Sequence, residues 1–311
     1  MRRAKSLREE RAKSFGEERT KSFGGERTKS LRGEHTRMLW LKIILTLAGA
    51  YVLVVGLAAI FQARLIFPTF IANAHAPALP ADAAKLEVMS GDGHQLVGTH
   101  LPPVAAGAGG DEGSLILGFG GNASHADHVA LMLQGLFPSA HVVVFHYRGY
   151  GRSDGTPSAR ALLADSLLVH DRAVATVKPK RVVAVGISIG SGVAAYLAKH
   201  RTLAGVILVT PFDSIEAVAK GHYGWLPVGL LLRHRMPAIE FLKGNGTPTA
   251  LIAAENDQIV PLDHAQALKR VVGNLVYERV IADAHHNDIY GRVEFADAMA
   301  RAMARIRAAA P

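Results

Sequence analysis

A serine framed by two glycines constrains this chain more than any other feature. Residues 186–190 read GISIG; they follow the apolar run 181–185 and precede a helix-prone segment at 193–199. This order predicts a strand, a sharp turn and a helix, with Ser188 at the apex of the turn, the arrangement of a nucleophile elbow. Such a turn strains the serine backbone, and glycines two residues away let strand and helix approach closely. Ser188 is therefore a candidate nucleophile.

Candidate partners for the serine follow it in the chain. Residues 248–254 predict a late core strand, and Asp257 stands just past its end, where α/β sheets place reactive groups. A last strand is predicted at 275–281, and two adjacent histidines, His285 and His286, come soon after it. Either imidazole could accept the serine proton while a carboxylate fixes its tautomer, and spacing alone does not separate the two.

Five motifs together give the chain a family resemblance from about residue 62 to the last helix. The motifs are QARLIFP at 62–68, GGNA at 120–123, YRGYGRS at 147–153, the GISIG turn, and the pair DQIVP at 257–261 with HND at 286–288. In these the chain resembles the α/β-hydrolases, and among them the membrane-anchored serine hydrolases of the bud-emergence type, related to monoacylglycerol-lipase-like and serine-aminopeptidase-like enzymes. In that family the histidine directly precedes Asn-Asp, which favours His286.

The resemblance implies a fold and an activity. It implies an α/β-hydrolase domain at 62–311, with a mostly parallel sheet, helices on both faces and a cap insertion around 212–246. It implies a serine hydrolase, without metal or organic cofactor, that cleaves a carboxylic ester or related acyl bond of a small acyl or lipid-like substrate. Ser188 would attack, His286 would act as general base and then acid, and Asp257 would orient the imidazole. The alternatives are a serine peptidase, an acyltransferase, or a silent membrane-anchored binding protein.

In this fold two backbone N–H groups stabilise the oxyanion. One donor follows the nucleophile, and the other comes from the loop after the third strand, which residues 115–119 predict. Ile189 and Asn122 are therefore the expected pair. The chain departs from the family pattern nearby, with Gly120 where a histidine is usual and His146 where many relatives carry an aspartate.

Three polar residues after this loop are close enough in sequence to suggest a metal site. They are His125, Asp127 and His128. A run of this kind at a helix start is more typical of a capped, solvated first turn. The chain has no cysteine and no second ligand cluster in its sequence, so we expect no metal.

Residues 1–37 carry a basic eight-residue repeat. AKSLREER at 4–11 recurs with small changes from positions 12, 20 and 28. So few apolar residues cannot build a packed core, and we expect disorder here. The segment holds twelve Lys and Arg against six Glu, a net charge of +6 out of the chain's +9. The remainder is only mildly basic, so we expect no nucleic-acid partner. The repeat either holds anionic lipid headgroups or lies upstream of a natural start at Met38.

A nearly continuous apolar run follows at 39–61. Its last nineteen residues, 43–61, carry no charge and are about long enough to span a bilayer. We expect a transmembrane anchor at 38–61, the alternative being a signal peptide cleaved near the ANA sequence at 72–74. Arg37 and Lys42 precede the apolar core whereas Arg64 follows alone, which predicts a cytoplasmic N-terminus and an extracytoplasmic catalytic domain.

Overall fold

The computed structural model describes residues 2–73, 75–105 and 113–309. The chain divides into two compact units, Met1–Ala58 and Ala59–Pro311. Helix α1 (Arg2–Ile66) makes up the described part of the first unit and begins the second. The strands of the described chain all lie in the second unit.

The basic repeat differs from the sequence expectation. We expected disorder at 1–37, whereas α1 already begins at Arg2. The repeat is rich in Arg, Lys, Glu and Leu, which are good helix formers, and the hydrogen bonds of a helix are made within the segment itself. The absence of a core therefore does not prevent regular structure here.

One helix among the described residues, within 35–72, is long and apolar enough to cross a membrane. Its large apolar side chains are exposed, with Leu47 65% and Val52 67% accessible. A helix that is apolar on all sides, and whose apolar side chains are not buried in protein, is a candidate membrane span.

The second unit is built on one eight-stranded sheet. Its strands are β1 (Ala84–Met89), β2 (Gln95–Leu101), β3 (Ser114–Phe119), β4 (His141–Phe145), β5 (Arg181–Ile187), β6 (Gly205–Val209), β7 (Thr249–Ala254) and β8 (Leu275–Ile281). The order across the sheet is β1-β2-β4-β3-β5-β6-β7-β8. Strand β2 pairs antiparallel with both β1 and β4, and the other neighbours are parallel. Strands β3 and β5 are buried along nearly their whole length, as central parallel strands are.

Helices cover both faces of the sheet. They are α2 (Thr69–Ala72), α3 (Ala126–Leu136), α4 (Ala159–Val177), α5 (Ile189–His200), α6 (Ile215–His222), α7 (Val228–Leu231), α8 (Ala238–Leu242), α9 (Leu262–Lys269) and α10 (Val293–Ala309). One hydrophobic cluster contains residues of α4, α5, α8 and α9. The other contains residues of α3 and α10. The expected α/β-hydrolase architecture, a mostly parallel sheet between two helical layers, is confirmed.

The segment predicted as a cap, 212–246, carries the three short helices α6, α7 and α8. Helix α8 packs into the core through Ala238 and Leu242, whereas α6 has no fully buried residue. Tyr223, Trp225 and Leu230 are more than half exposed. The segment thus combines one anchored helix with an outer part rich in exposed apolar side chains.

Candidate active site

Ser188 forms the turn between β5 and α5. Its backbone has φ 50° and ψ −118°, and a positive φ costs a residue other than glycine about 1–3 kcal/mol. Two contacts hold the turn: the Ser188 N–H donates to the Val209 carbonyl (2.9 Å), and the Ser191 hydroxyl donates to the Ser188 carbonyl (2.6 Å). The sharp strand-to-helix turn is therefore present, at the carboxyl end of a central strand.

The two glycines of the turn are required by close backbone approach. A Cβ on Gly186 would lie 2.4 Å from the Gly190 carbonyl oxygen. A Cβ on Gly190 would lie 2.1 Å from the Phe119 carbonyl oxygen, where β3 ends. Backbone atoms cannot yield at such distances, so any side chain here would push α5 away from the sheet.

A chain of hydrogen bonds joins the serine to a histidine and an aspartate. Nε2 of His286 lies 3.0 Å from Oγ of Ser188, and Nδ1 of the same ring lies 2.7 Å from Oδ2 of Asp257. His286 and Asp257 are each 7% exposed, whereas Ser188 is half-buried. A hydroxyl, an imidazole and a carboxylate in this series can transfer a proton away from an attacking serine oxygen.

The Asp257 carboxylate is oriented by its own loop. Its Oδ1 accepts hydrogen bonds from the N–H groups of Ile259 (2.9 Å) and Val260 (2.8 Å). These bonds leave Oδ2 directed at His286. The loop follows β7, so the carboxylate stands at the same sheet edge as the serine, where its position in the chain predicted it.

The two histidines that spacing left open are separated by the structure. His285 is exposed, and its Nδ1 lies 2.9 Å from the carbonyl oxygen of Asn256. Asp283 is also exposed, and its N–H donates to the carboxylate of Glu255. Within the described residues, His286 is the histidine that bonds to the serine, and Asp257 is the carboxylate that bonds to His286.

The loop between β3 and α3 is held by two tyrosine hydroxyls. Tyr147 donates to the Gly120 carbonyl (2.9 Å), and Tyr150 donates to the Asn122 carbonyl (2.6 Å). Burial raises the pKa of both phenols, so both remain protonated donors. The side-chain amide of Asn122 also donates to the Ile66 carbonyl (3.3 Å). The peptide planes of this loop are thus fixed by side chains from outside it.

The loop that carries one expected oxyanion donor, Asn122, passes close to Ser188, and the other expected donor, Ile189, directly follows the serine. The Gly121 carbonyl accepts from the Ser124 N–H (3.2 Å), so in the trans peptide the Asn122 N–H points the opposite way. A Cβ on Gly121 would lie 3.8 Å from Cβ of Ser188, which shows how closely the loop passes. Ile189 is the first residue of α5, and its N–H has no acceptor within the helix.

A second histidine–aspartate cluster lies just beyond this loop. Nδ1 of His125 stands 3.8 Å from Oδ2 of Asp127, and Nε2 of His146 stands 3.8 Å from Oδ1 of the same carboxylate. All three residues are buried. Neither ring nitrogen of His146 has a hydrogen-bond partner among the described residues. An unpartnered buried polar group costs about 1–3 kcal/mol. Burial lowers the pKa of His146 to about 4, so the ring is neutral at pH 7.

The sequence suggested His125, Asp127 and His128 as metal ligands but favoured a capped, solvated first turn. The cap is present, with His125 as the N-cap residue, yet His125 and Asp127 are buried. His128 is exposed on α3, and His146, which follows β4, is the third member of the cluster. The cluster joins distant parts of the chain, so spacing could not reveal it. The one available signal was the histidine at 146, where the resembling family usually has an aspartate.

Comparisons with known proteins agree with this architecture. The sequence model described as "alpha/beta hydrolase fold" matches residues 115–228. An uncharacterized protein of Mycobacterium tuberculosis is 33% identical over 233 residues, covering 73% of this chain and 81% of that protein. The lysophosphatidylserine lipase ABHD12 of Danio rerio is 30% identical over 146 residues, covering 41% of this chain and 38% of the lipase.

A solved structure shows the same fold. A Pyrococcus furiosus esterase superposes with a TM-score of 0.59 at 18% sequence identity, covering 75% of this chain and 97% of the esterase. Identity at this level carries the fold and leaves the chemistry to be argued from the residues of the site.

Proposed function

Because the chain belongs to the α/β-hydrolase family and is a hydrolase by fold and relatives, we propose that it is a serine hydrolase that cleaves carboxylic esters or related acyl bonds. The observation that carries this proposal is the unbroken hydrogen-bond series from Ser188 through His286 to Asp257. The esterase and lipase among the similar proteins support ester bonds as the target.

The proposed reaction has two halves. His286 takes the proton of Ser188 at Nε2 while the serine oxygen attacks the substrate carbonyl, and it then donates that proton to the leaving alcohol. Water attacks the resulting acyl-enzyme with the same assistance, which returns the serine and releases the acid. Asp257 keeps the Nδ1 proton in place and stabilises the imidazolium.

Negative charge on the attacked carbonyl oxygen would be met by the N–H groups of Asn122 and Ile189. One donor of this kind contributes about 2.7–4 kcal/mol to the transition state. The two tyrosine hydroxyls support the loop before reaction, so the donors need no rearrangement when the charge develops. We propose no metal or organic cofactor for this step.

We further propose that the substrate is a small acyl or lipid-like molecule met at a membrane. The apolar helix supports association with a bilayer. The charges that flank the span support a cytoplasmic N-terminus and an extracytoplasmic catalytic domain.

The full-length chain should stay with membranes through alkaline carbonate washes, and protease added outside intact cells should digest the catalytic domain. Protection of that domain until lysis would contradict the orientation.

A fluorophosphonate probe tests the proposed nucleophile directly. The full-length chain in detergent should be labelled and should hydrolyse short p-nitrophenyl esters, and Ser188→Ala should lose both. Ser166→Ala is the matched control, since this serine is also buried but lies on α4, where its hydroxyl donates to the Leu163 carbonyl. Labelling or hydrolysis that survives Ser188→Ala, or that is lost only in the control, would overturn the assignment.

A further inference from the structure

We propose that His125, Asp127 and His146 form a site for one divalent metal ion of the zinc class. His125 and Asp127 stand at the start of α3, and His146 follows β4. Two imidazoles and one carboxylate are donors that suit zinc, cobalt and nickel, and three protein ligands leave one position of a tetrahedral ion open. The site shares no residue with the proposed triad.

The ligand atoms are already close to metal-binding spacing. One donor atom from each of the three residues lies within 4.8 Å of the other two. Each histidine nitrogen that faces Asp127 is 3.8 Å from a carboxylate oxygen. Two atoms bound tetrahedrally to one zinc ion at about 2.0–2.2 Å lie about 3.4 Å apart. Closing the site therefore requires a contraction of about 0.4 Å at each of these two contacts and of up to about 1.4 Å between the most distant donor atoms.

His146 is the independent observation that points to a ligand. Its side chain is fully buried, and neither ring nitrogen is hydrogen-bonded within the described residues. On one side the ring is confined by Gly151, because a Cβ there would fall 2.2 Å from Nδ1. The other nitrogen, Nε2, faces Asp127 across 3.8 Å without a hydrogen bond. An ion between His146 and Asp127 would satisfy that nitrogen.

His125 already has a weak alternative role. Its Nδ1 caps α3 by accepting the N–H of Asp127, but the distance is 3.3 Å, at the long end for such a bond. The same nitrogen faces the Asp127 carboxylate. Metal binding would replace this long cap with a direct bond and would tie the first turn of α3 to the sheet through His146.

Arg152 is the competitor of the ion. It donates to both carboxylate oxygens of Asp127, at 3.0 and 3.2 Å, and Thr99 donates to one of them at 2.5 Å. A carboxylate offers about four lone-pair positions, so a direction remains for a metal. The Arg152 side chain is 41% exposed and can turn toward solvent when a second cation arrives. Removing its charge should therefore tighten metal binding.

Metal titration of the full-length chain tests the site. The protein is purified in detergent with a histidine-free tag, stripped with a chelator, and titrated with zinc chloride by calorimetry and with cobalt chloride by visible absorption. We expect one tightly bound ion per chain and the visible bands of four-coordinate cobalt. Weak binding of several ions per chain would mean adventitious binding by surface histidines and would overturn the proposal.

Three variants locate the ion. His146→Leu removes a ligand at similar volume and should weaken binding by more than about 100-fold, given that loss of a mere supporting group costs about 10–100-fold. His128→Ala is the matched control, an exposed histidine three residues from His125, and should bind as the parent does. Arg152→Ala should bind about tenfold more tightly, since it removes a nearby positive charge.

The Arg152 variant keeps the test decisive if His146→Leu fails to fold. Binding that tightens in Arg152→Ala and is unchanged in His128→Ala supports the site even then. Binding that is unchanged or weaker in Arg152→Ala, or that disappears in His128→Ala, places the ion elsewhere and contradicts it. Unchanged binding in a folded His146→Leu protein contradicts it as well.

Discussion

His286 and His146 each stand beside a buried aspartate, yet their ring nitrogens are used in opposite ways. His286 is bonded at both nitrogens, to Ser188 and to Asp257. His146 is bonded at neither within the described residues, and it faces Asp127 only across 3.8 Å. Two partners fix the tautomer and orientation that proton transfer requires. A ring without partners keeps a lone pair for an ion, so the same residue pair serves two chemistries.

The two aspartates differ in the same sense. Asp257 is oriented by backbone N–H groups of its own loop, which leave one oxygen for the histidine. Asp127 is instead bonded by two side chains, Thr99 and Arg152, and Arg152 is partly exposed. Backbone donors form a fixed arrangement, whereas an exposed guanidinium can leave. The proposed triad therefore needs no further partner, whereas in the second cluster a metal ion could replace Arg152 beside Asp127.

The largest effect should come from breaking the complete pair. His286→Ala removes the proposed general base, and because triad members act as a unit the ester hydrolysis rate should fall by about 10⁴–10⁶-fold. His285→Ala, next to it in sequence but bonded to the Asn256 carbonyl, should lose less than about tenfold. Steady-state kinetics on one ester measures both. Reversed losses would make His285 the base.

A smaller effect should follow from crowding the open cluster. Gly151→Ala would place a Cβ 2.2 Å from Nδ1 of His146, at a φ of +51°. We expect the free energy of unfolding to fall by about 1–3 kcal/mol, as strain and overpacking in a core require. Denaturant unfolding in detergent measures it. Gly135→Ala is the control, a helical glycine with open space around it, and it should stabilise by up to about 1 kcal/mol.

The loop between the two sites should respond more weakly still. Tyr150→Phe removes the hydroxyl that holds the Asn122 carbonyl, one hydrogen bond worth about 1 kcal/mol. We expect kcat for ester hydrolysis to fall about fivefold with KM nearly unchanged, because the donor is needed most in the transition state. A rise in KM with kcat unchanged would show that the loop binds substrate rather than the oxyanion.

A third histidine–aspartate pair, His264 with Asp213, is joined by one hydrogen bond, and its substitution should give the smallest effect. Its single hydrogen bond, 2.9 Å long, raises the pKa of His264 above 6.5. A raised pKa means that the stabilisation is fully present below pH 6.5 and is lost as pH rises through the folded-state value. His264→Gln should therefore lower the free energy of unfolding at pH 5.5 by up to about 1 kcal/mol, and by less at pH 9. An equal loss at both pH values would show that the charge contributes nothing.

The hydrogen-bonded series of Ser188, His286 and Asp257 could be predicted from sequence because each member stands in a short local pattern. The serine turn, the acid after a late strand and the histidine before Asn-Asp follow a fixed chain order, and the sheet brings strand ends to one edge. Even so, spacing did not separate His285 from His286. The choice came from the family resemblance, and the hydrogen bonds of the structure agree with it.

The cluster of His125, Asp127 and His146 could not be predicted from sequence, for physical reasons. His125, Asp127 and His128 lie within four positions of the sequence. In a helix, however, adjacent side chains such as those of Asp127 and His128 point about 100° apart, and only one of these two faces the sheet. His146 follows β4, and it comes near His125 and Asp127 because β3, which leads to α3, pairs with β4 and α3 shares a hydrophobic cluster with β4. The basic repeat is helical rather than disordered because local helix propensity does not require a packed core.

The strained backbone of Ser188 bears on how this protein can change over generations. Glycine adopts a positive φ without penalty, so Ser188→Gly should release about 1–3 kcal/mol of strain while it removes the nucleophile. A lineage that no longer needs hydrolysis would thus gain stability by discarding the serine. Selection for stability alone would favour glycine at this turn, so a serine here is favoured only where its hydroxyl is used.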